Sequence, residues 1–243
     1  MFHIEKRKPD TNIFAAQQVV QVTDVEKDPG LVHNLDYPTW LPFAAKTYKI
    51  SPNIEDYILM VYPICPSDIP NRNGIGFPLQ ELTRFQPPPV SRMAYKAWTG
   101  TPLHYDHQNE VHEEAYGVIL DSSLHKITGY GGGKLWKVMG LIGLDRKKRP
   151  QMAERVLDGD INTGSMGALA DKFTCSVCGV EMTKDQSCHH LDPNSDIDWQ
   201  EVRGAEGRRR IAFRNAHFLS PIEYSLVESP AWVPALSDHI LMR

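Results

Sequence analysis

Apolar residues gather in short runs along the 243-residue chain rather than in long helical stripes. "DYILMVYPIC", Asp56 to Cys65, is rich in Tyr, Ile and Val and is bounded by Pro63 and Pro66, which predicts a buried strand. "AYGVILDSSL" predicts a second. "KLWKVMGLIGLD", Lys134 to Asp145, is apolar on both alternating faces, the pattern of a strand covered on two sides. "INTGSMGAL" and two runs within "RRIAFRNAHFLSPIEYSLVESPA" add further strands. Helical punctuation is clear in "RPQMAERVLDG", with Pro150 in the first turn and Gly159 just past the end.

The intervening stretches carry turn chemistry. "PSDIPNRNGIGFP" reads as a long loop, "FQPPPV" as a stiff break between substructures, "GYGGG" from Gly129 to Gly133 as a turn, and Asp192 to Asp198 as an acidic loop. Residues 1–50 mix charges, Pro and Gly without a clean period and predict an irregular N-terminal arm, leaving 51–243 as one domain. That balance predicts a mainly β protein with some α, an α+β chain. A closed or half-closed barrel is the economical way to bury many short strands without exposed edges.

Composition narrows the function classes. At 41% hydrophobic residues the chain can build a core. A net charge of -4, with acids and bases interspersed, lacks the basic excess of a nucleic-acid binder, so no nucleic-acid partner is expected. The short basic runs "DRKKRP" and Arg208 to Arg210 read as solvated turns. "MFHIEKRKPD" has no apolar signal-peptide region, and no segment of about 18 apolar residues follows, so a soluble intracellular chain with no membrane partner is expected.

Two local patterns carry chemistry. Cys175-x-x-Cys178, followed after nine residues by Cys188-His189-His190, offers soft ligands within a 16-residue span. Zinc takes four in a tetrahedron, so Cys175, Cys178, Cys188 and His190 are the expected ligands of a structural Zn2+, with His189 pointing away. This predicts a zinc-knuckle insertion over 173–191. Just before it, Ser165 sits in Gly164-Ser165-Met166-Gly167. Flanking glycines would let the backbone approach a substrate, and following amides could supply an oxyanion site. The tetrapeptide also fits an ordinary turn. A serine nucleophile needs a base, and "GTPLHYDHQNEVHEEAYG" offers His104, His107 and His112. His104 and His112 read equally as surface histidines, and spacing alone does not select His107.

The order of these segments resembles that of the prohead maturation proteases of tailed bacteriophages, serine proteases whose fold is similar to herpesvirus assemblin. "WTGTPLHYDHQNEVHEEAYGVILDSSL" carries the strand ending in Asp-His. "KLWKVMGLIGLDRKKRPQMAERVLDGDINTGSMGA" carries strand, helix, strand and Ser-Met-Gly. "CSVCG" with "CHHL" is similar to a cysteine insertion of some phage members, and "IEYSLVESPAWVPAL" resembles the closing Glu-x-Ser-Leu-Val-x-x-Pro-Ala. The likeness covers residues 56–236, with "SPAWVP" departing from the more common Pro-Ala-Asn or Pro-Ala-Asp.

The resemblance implies an assemblin-like barrel with flanking helices and a serine endopeptidase. His107 would be general base, Ser165 nucleophile and Glu223 the residue that orients the histidine, with Asp106, Asp160 and His190 competing for that last place. It further implies phage scaffold or core proteins and the major capsid protein as substrates, cut inside the assembling prohead in the host cytoplasm. Homo-oligomerisation stays open, and residues 1–50 are a candidate removable segment. The alternative is a non-catalytic capsid or core assembly protein with a structural zinc knuckle.

Overall fold

The computed structural model describes residues 37–87, 92–127, 135–183, 188–191, 200–203, 207–232 and 239–242. Residues 1–36, the stretch 129–133 read above as a turn, the stretch 192–198 read as an acidic loop and residues 88–91 of the proline-rich stretch lie outside them.

The molecule is mainly β with few helices. One large sheet is built on strands β1 (Tyr57–Pro66), β5 (Pro102–Tyr105), β6 (Gly117–Lys126), β7 (Trp136–Asp145), β8 (Gly164–Cys175) and β12 (Arg214–Leu226). Two short strands, β9 (Glu181–Met182) and β13 (His239–Met242), close its ends, and β2 (Ile75–Gly76) pairs alongside β12. Among the described residues the α-helices are α1 (Tyr37–Tyr48), the single turn α2 (Leu79–Leu82) and α3 (Pro150–Leu157). The expected strands and the helix from Pro150 are all present.

The first half of the sheet explains why its strands are apolar on both faces. From β1, Ile58, Met60, Tyr62 and Ile64 enter the main core with Ile119 of β6 and Val138, Ile142 and Leu144 of β7. The alternate positions Tyr57, Val118, Leu120 and Leu141 form a second core with Leu41 and Ala45 of α1. Side chains alternate across a strand, so the sheet here is sandwiched, with α1 as its outer cover. The expectation of an irregular arm to residue 50 is therefore corrected for Tyr37–Tyr48. Leu41, Ala44, Ala45 and Tyr48 recur at helical spacing, a signal obscured by Pro42 inside the helix.

The sheet order is β13-β1-β7-β6-β5-β12-β8-β9, and it has two ends, so no closed barrel is seen among the described residues. The reason is local: β1 uses its second edge on β13, and β8 uses its far end on β9. The sheet nevertheless coils on itself. Tyr62 of β1 and Tyr224 of β12 meet as tilted rings 5.9 Å apart, and Tyr224 Oη donates to the Pro63 carbonyl at 3.2 Å. The proline-rich stretch is not a divider between substructures, because Phe85–Gln86 pairs antiparallel with Arg92–Met93 across it.

Candidate active site and metal centre

The thirteen-residue strand β12 is the spine of the site. It pairs antiparallel with β8, setting Ser225 opposite Ser165 and Glu223 opposite Gly167, and parallel with β5, setting Ser225 beside His104. Directly opposed residues share a face, so His104, Ser225 and Ser165 form a row across three strands. Glu223 and Ser225 look one way along β12, while Tyr224 looks into the core.

Beyond β5 the chain turns sharply. Asp106 and His107 both hold positive φ, 51° and 57°, which is costly without glycine. Two bonds from β12 fix the turn: Asp106 N–H donates to the Leu226 carbonyl at 2.9 Å, and His107 N–H to Ser225 Oγ at 3.1 Å. His107 Nδ1 then meets Glu223 Oε1 at 2.7 Å. Glu223 is fully buried while the His107 side chain is 44% exposed, so the pair joins a dry carboxylate to a reachable ring. The Glu223 hydrogen bond raises the His107 pKa above its ordinary value, against an opposing effect of burial.

Ser165, nearly buried, and His107 line one cavity of about 490 Å³, walled by Ile64, Ile75, Phe77, Phe173 and Leu219 among others. No hydrogen bond joins the serine hydroxyl to the imidazole in this arrangement. Of the competing carboxylates, Asp106 shares the turn and Asp160 sits in the loop after α3, while His190 belongs to the cysteine cluster. The carboxylate in hydrogen-bond contact with the ring is that of Glu223.

The glycines around Ser165 have a different use from the one the sequence suggests. A Cβ at Gly164 would collide with Tyr224, and one at Gly167 with Glu223 Oε1. They clear room for β12 side chains. Sequence reasoning named His104 only as one of three candidate bases that read equally as a surface histidine, and gave Ser225 no role. His104 is not a surface histidine: it is fully buried, both ring nitrogens lack a hydrogen-bond partner, and burial lowers its pKa. His112 is exposed. The signal for Ser225 was the alternation in "PIEYSLV", which places it beside Glu223 on the same face.

At the opposite end of β8 the chain makes a hairpin into β9. Cys175 N–H donates to the Val180 carbonyl and Gly179 N–H to that of Cys175, both at 2.9 Å, with Gly179 at φ 72°. The ligand atoms of Cys175, Cys178, Cys188 and His190 all lie within 4.8 Å of one another. Three thiols and an imidazole at that separation suit a tetrahedral metal ion, so this cluster can hold one. His189 stays out of the cluster, its ring stacked on that of His190 at 3.9 Å. Burial raises the Cys175 thiol pKa to about 11, whereas the backbone N–H of Val180 lowers that of Cys178.

The hairpin is not free-standing. A ladder of β10 (Gln200–Arg203) and β11 (Arg209–Ala212) packs Val202 and Ala212 against Cys175, Cys188 and Leu191. Ser176 and Phe213 exchange two hydrogen bonds, at 2.9 and 3.0 Å. Of the segment 173–191 expected as an insertion, residues 173–175 belong to β8, and its cysteines pack against this ladder.

No protein-family model, curated protein or solved structure matches this chain. No helix among the described residues is long and apolar enough to cross a membrane.

Proposed function

We propose that the chain is a prohead maturation protease of a tailed bacteriophage, a serine endopeptidase cutting scaffold or core proteins, and the major capsid protein, inside the assembling head. The observation that carries this reading is the 2.7 Å contact of His107 Nδ1 with buried Glu223, in a cavity that His107 shares with Ser165. These are the residues to which the sequence resemblance assigned base, orienting acid and nucleophile. The fold proposed is assemblin-like, an incompletely laddered barrel whose strands curl around the Tyr62–Tyr224 contact.

In the proposed reaction the Ser165 hydroxyl adds to the scissile carbonyl while His107 Nε2 takes its proton. Nδ1–H stays hydrogen-bonded to Glu223, which stabilises the imidazolium formed. The imidazolium then protonates the departing amine, leaving an acyl-serine, and a water activated by the same ring releases it. The cavity walls combine apolar side chains with Asn71, Arg72 and Asn73, so both apolar and polar substrate groups could seat there. The metal proposed for the Cys3His cluster is zinc, a structural ion because four protein ligands leave no open position.

The test is incubation of the purified chain with the capsid and scaffold proteins of its phage, alongside Ser165→Ala, with cuts mapped by mass spectrometry. Discrete cuts by the parent and none by Ser165→Ala are expected. Equal cutting by both would refute the assignment, and no cutting by either would favour a non-catalytic assembly role.

A further inference from the structure

We infer that Ser225 is a positioning residue of this site, its single hydroxyl locking the Glu223 carboxylate and the His107 backbone into one arrangement. The inference rests on the proposed roles of Ser165, His107 and Glu223 and adds to them. Ser225 Oγ donates to Glu223 Oε2 at 2.5 Å and at the same time accepts the His107 backbone N–H at 3.1 Å. Both capacities of the hydroxyl are thus spent on the dyad.

Each link has a reason to matter. Glu223 is fully buried, so its oxygens have no solvent to fall back on. Oε1 takes the His107 ring and Oε2 takes Ser225, and losing the second donor leaves a buried carboxylate oxygen unsatisfied. The carboxylate would then be free to rotate, and its grip on Nδ1 would weaken. On the backbone side, Asp106 and His107 are both in the left-handed region, and Ser225 supplies one of the two bonds that hold this turn to β12. A serine hydroxyl can be spent on any nearby polar group. This one joins two residues 116 positions apart in sequence.

The charged and titratable groups around the imidazole are Glu223 from β12, Asp106 from its own turn, and His104 from β5, which interacts with Glu223 and whose pKa burial lowers. Removing the Ser225 hydroxyl changes none of these charges. What changes is the hydrogen bond that favours the protonated ring, while the opposing effect of burial stays. The His107 pKa is therefore expected to fall.

The experiment is a histidine NMR titration of the whole chain, parent against Ser225→Ala and Ser225→Cys, combined with the pH dependence of Ser165 labelling by a fluorophosphonate probe. Cysteine keeps the side-chain volume with a much weaker donor, so packing is separated from hydrogen bonding. Both variants should fold but melt below the parent, because a buried Glu223 oxygen loses its donor. They should also show a lowered His107 pKa and label about tenfold or more slowly. A parental His107 titration and labelling profile in both variants would overturn the inference. Failure of the parent itself to label at Ser165 would count against the protease reading, while the titration would still decide the role of Ser225.

Discussion

A methyl group at Gly167 would land on Glu223 Oε1, and one at Gly164 on Tyr224 Oη. Gly167→Ala should therefore displace the carboxylate that holds His107, at an overpacking cost of roughly 1–3 kcal/mol. A lowered melting temperature together with a lowered His107 pKa is the expected outcome. A lowered melting temperature with an unshifted His107 would mean that the carboxylate had not moved. Glu223→Gln keeps size and loses charge. It should fold, retain the metal, and lower kcat/KM by on the order of 10⁴, the scale seen when an orienting acid of a serine protease is made neutral. Asp106→Asn and Asp160→Asn should stay near the parental value, since neither carboxylate makes a hydrogen bond to the ring here. Were either as damaging as Glu223→Gln, the orienting role would pass to that residue.

Helix α1 covers one face of β1, β6 and β7, and Leu41 is its most buried anchor, at 1% exposure. Leu41→Ala should cost about 3 kcal/mol of stability, read from urea unfolding. A loss under about 1 kcal/mol would mean that the helix is loosely seated. Any removable N-terminal segment should accordingly end before α1, because cutting within it would uncover the second core. At the other end of the sheet, removal of the proposed metal should free three thiols, those of Cys175, Cys178 and Cys188, to react with a thiol reagent. Cys65, fully enclosed and with its pKa raised by burial, should stay unreactive until the chain unfolds. One metal ion lost per chain, with a lower melting temperature, is the matching observation. All the thiols reacting at once would show that the metal holds the entire fold. Strands were legible in the sequence where Val, Ile and Leu fill both alternating faces, as in "KLWKVMGLIGLD". Helix α1 was not, because Pro42 interrupts a pattern that tertiary packing against Val118 and Leu120 completes.

Across the whole molecule, the two site histidines should give stability a pH optimum. His107 has its folded pKa raised, so its contribution is complete below the unfolded value near 6.5 and is lost as pH rises through the folded value. His104 has its folded pKa lowered, so stability falls as pH drops below about 6.5, where the unfolded chain takes a proton that the buried ring refuses. Melting scans across pH should show the alkaline arm flattened in His107→Gln and the acid arm flattened in His104→Phe. Unchanged arms would mean that other groups dominate. The sequence carried His107, Ser165, Glu223 and the Cys3His cluster as candidates, yet their meeting depends on register, with Ser225 opposite Ser165 and beside His104. Register lies between strands far apart in the chain, which is why buried His104 read as a surface residue and Ser225 did not stand out. The central claim is that Ser165 is a nucleophile activated through His107 and Glu223. Its most direct measurement is fluorophosphonate labelling of the parent, Ser165→Ala and Glu223→Gln near neutral pH, with the modified residue located by mass spectrometry. The account predicts one adduct on Ser165 in the parent, none in Ser165→Ala and strongly slowed labelling in Glu223→Gln; an unlabelled parent, or equal labelling in all three, would contradict it.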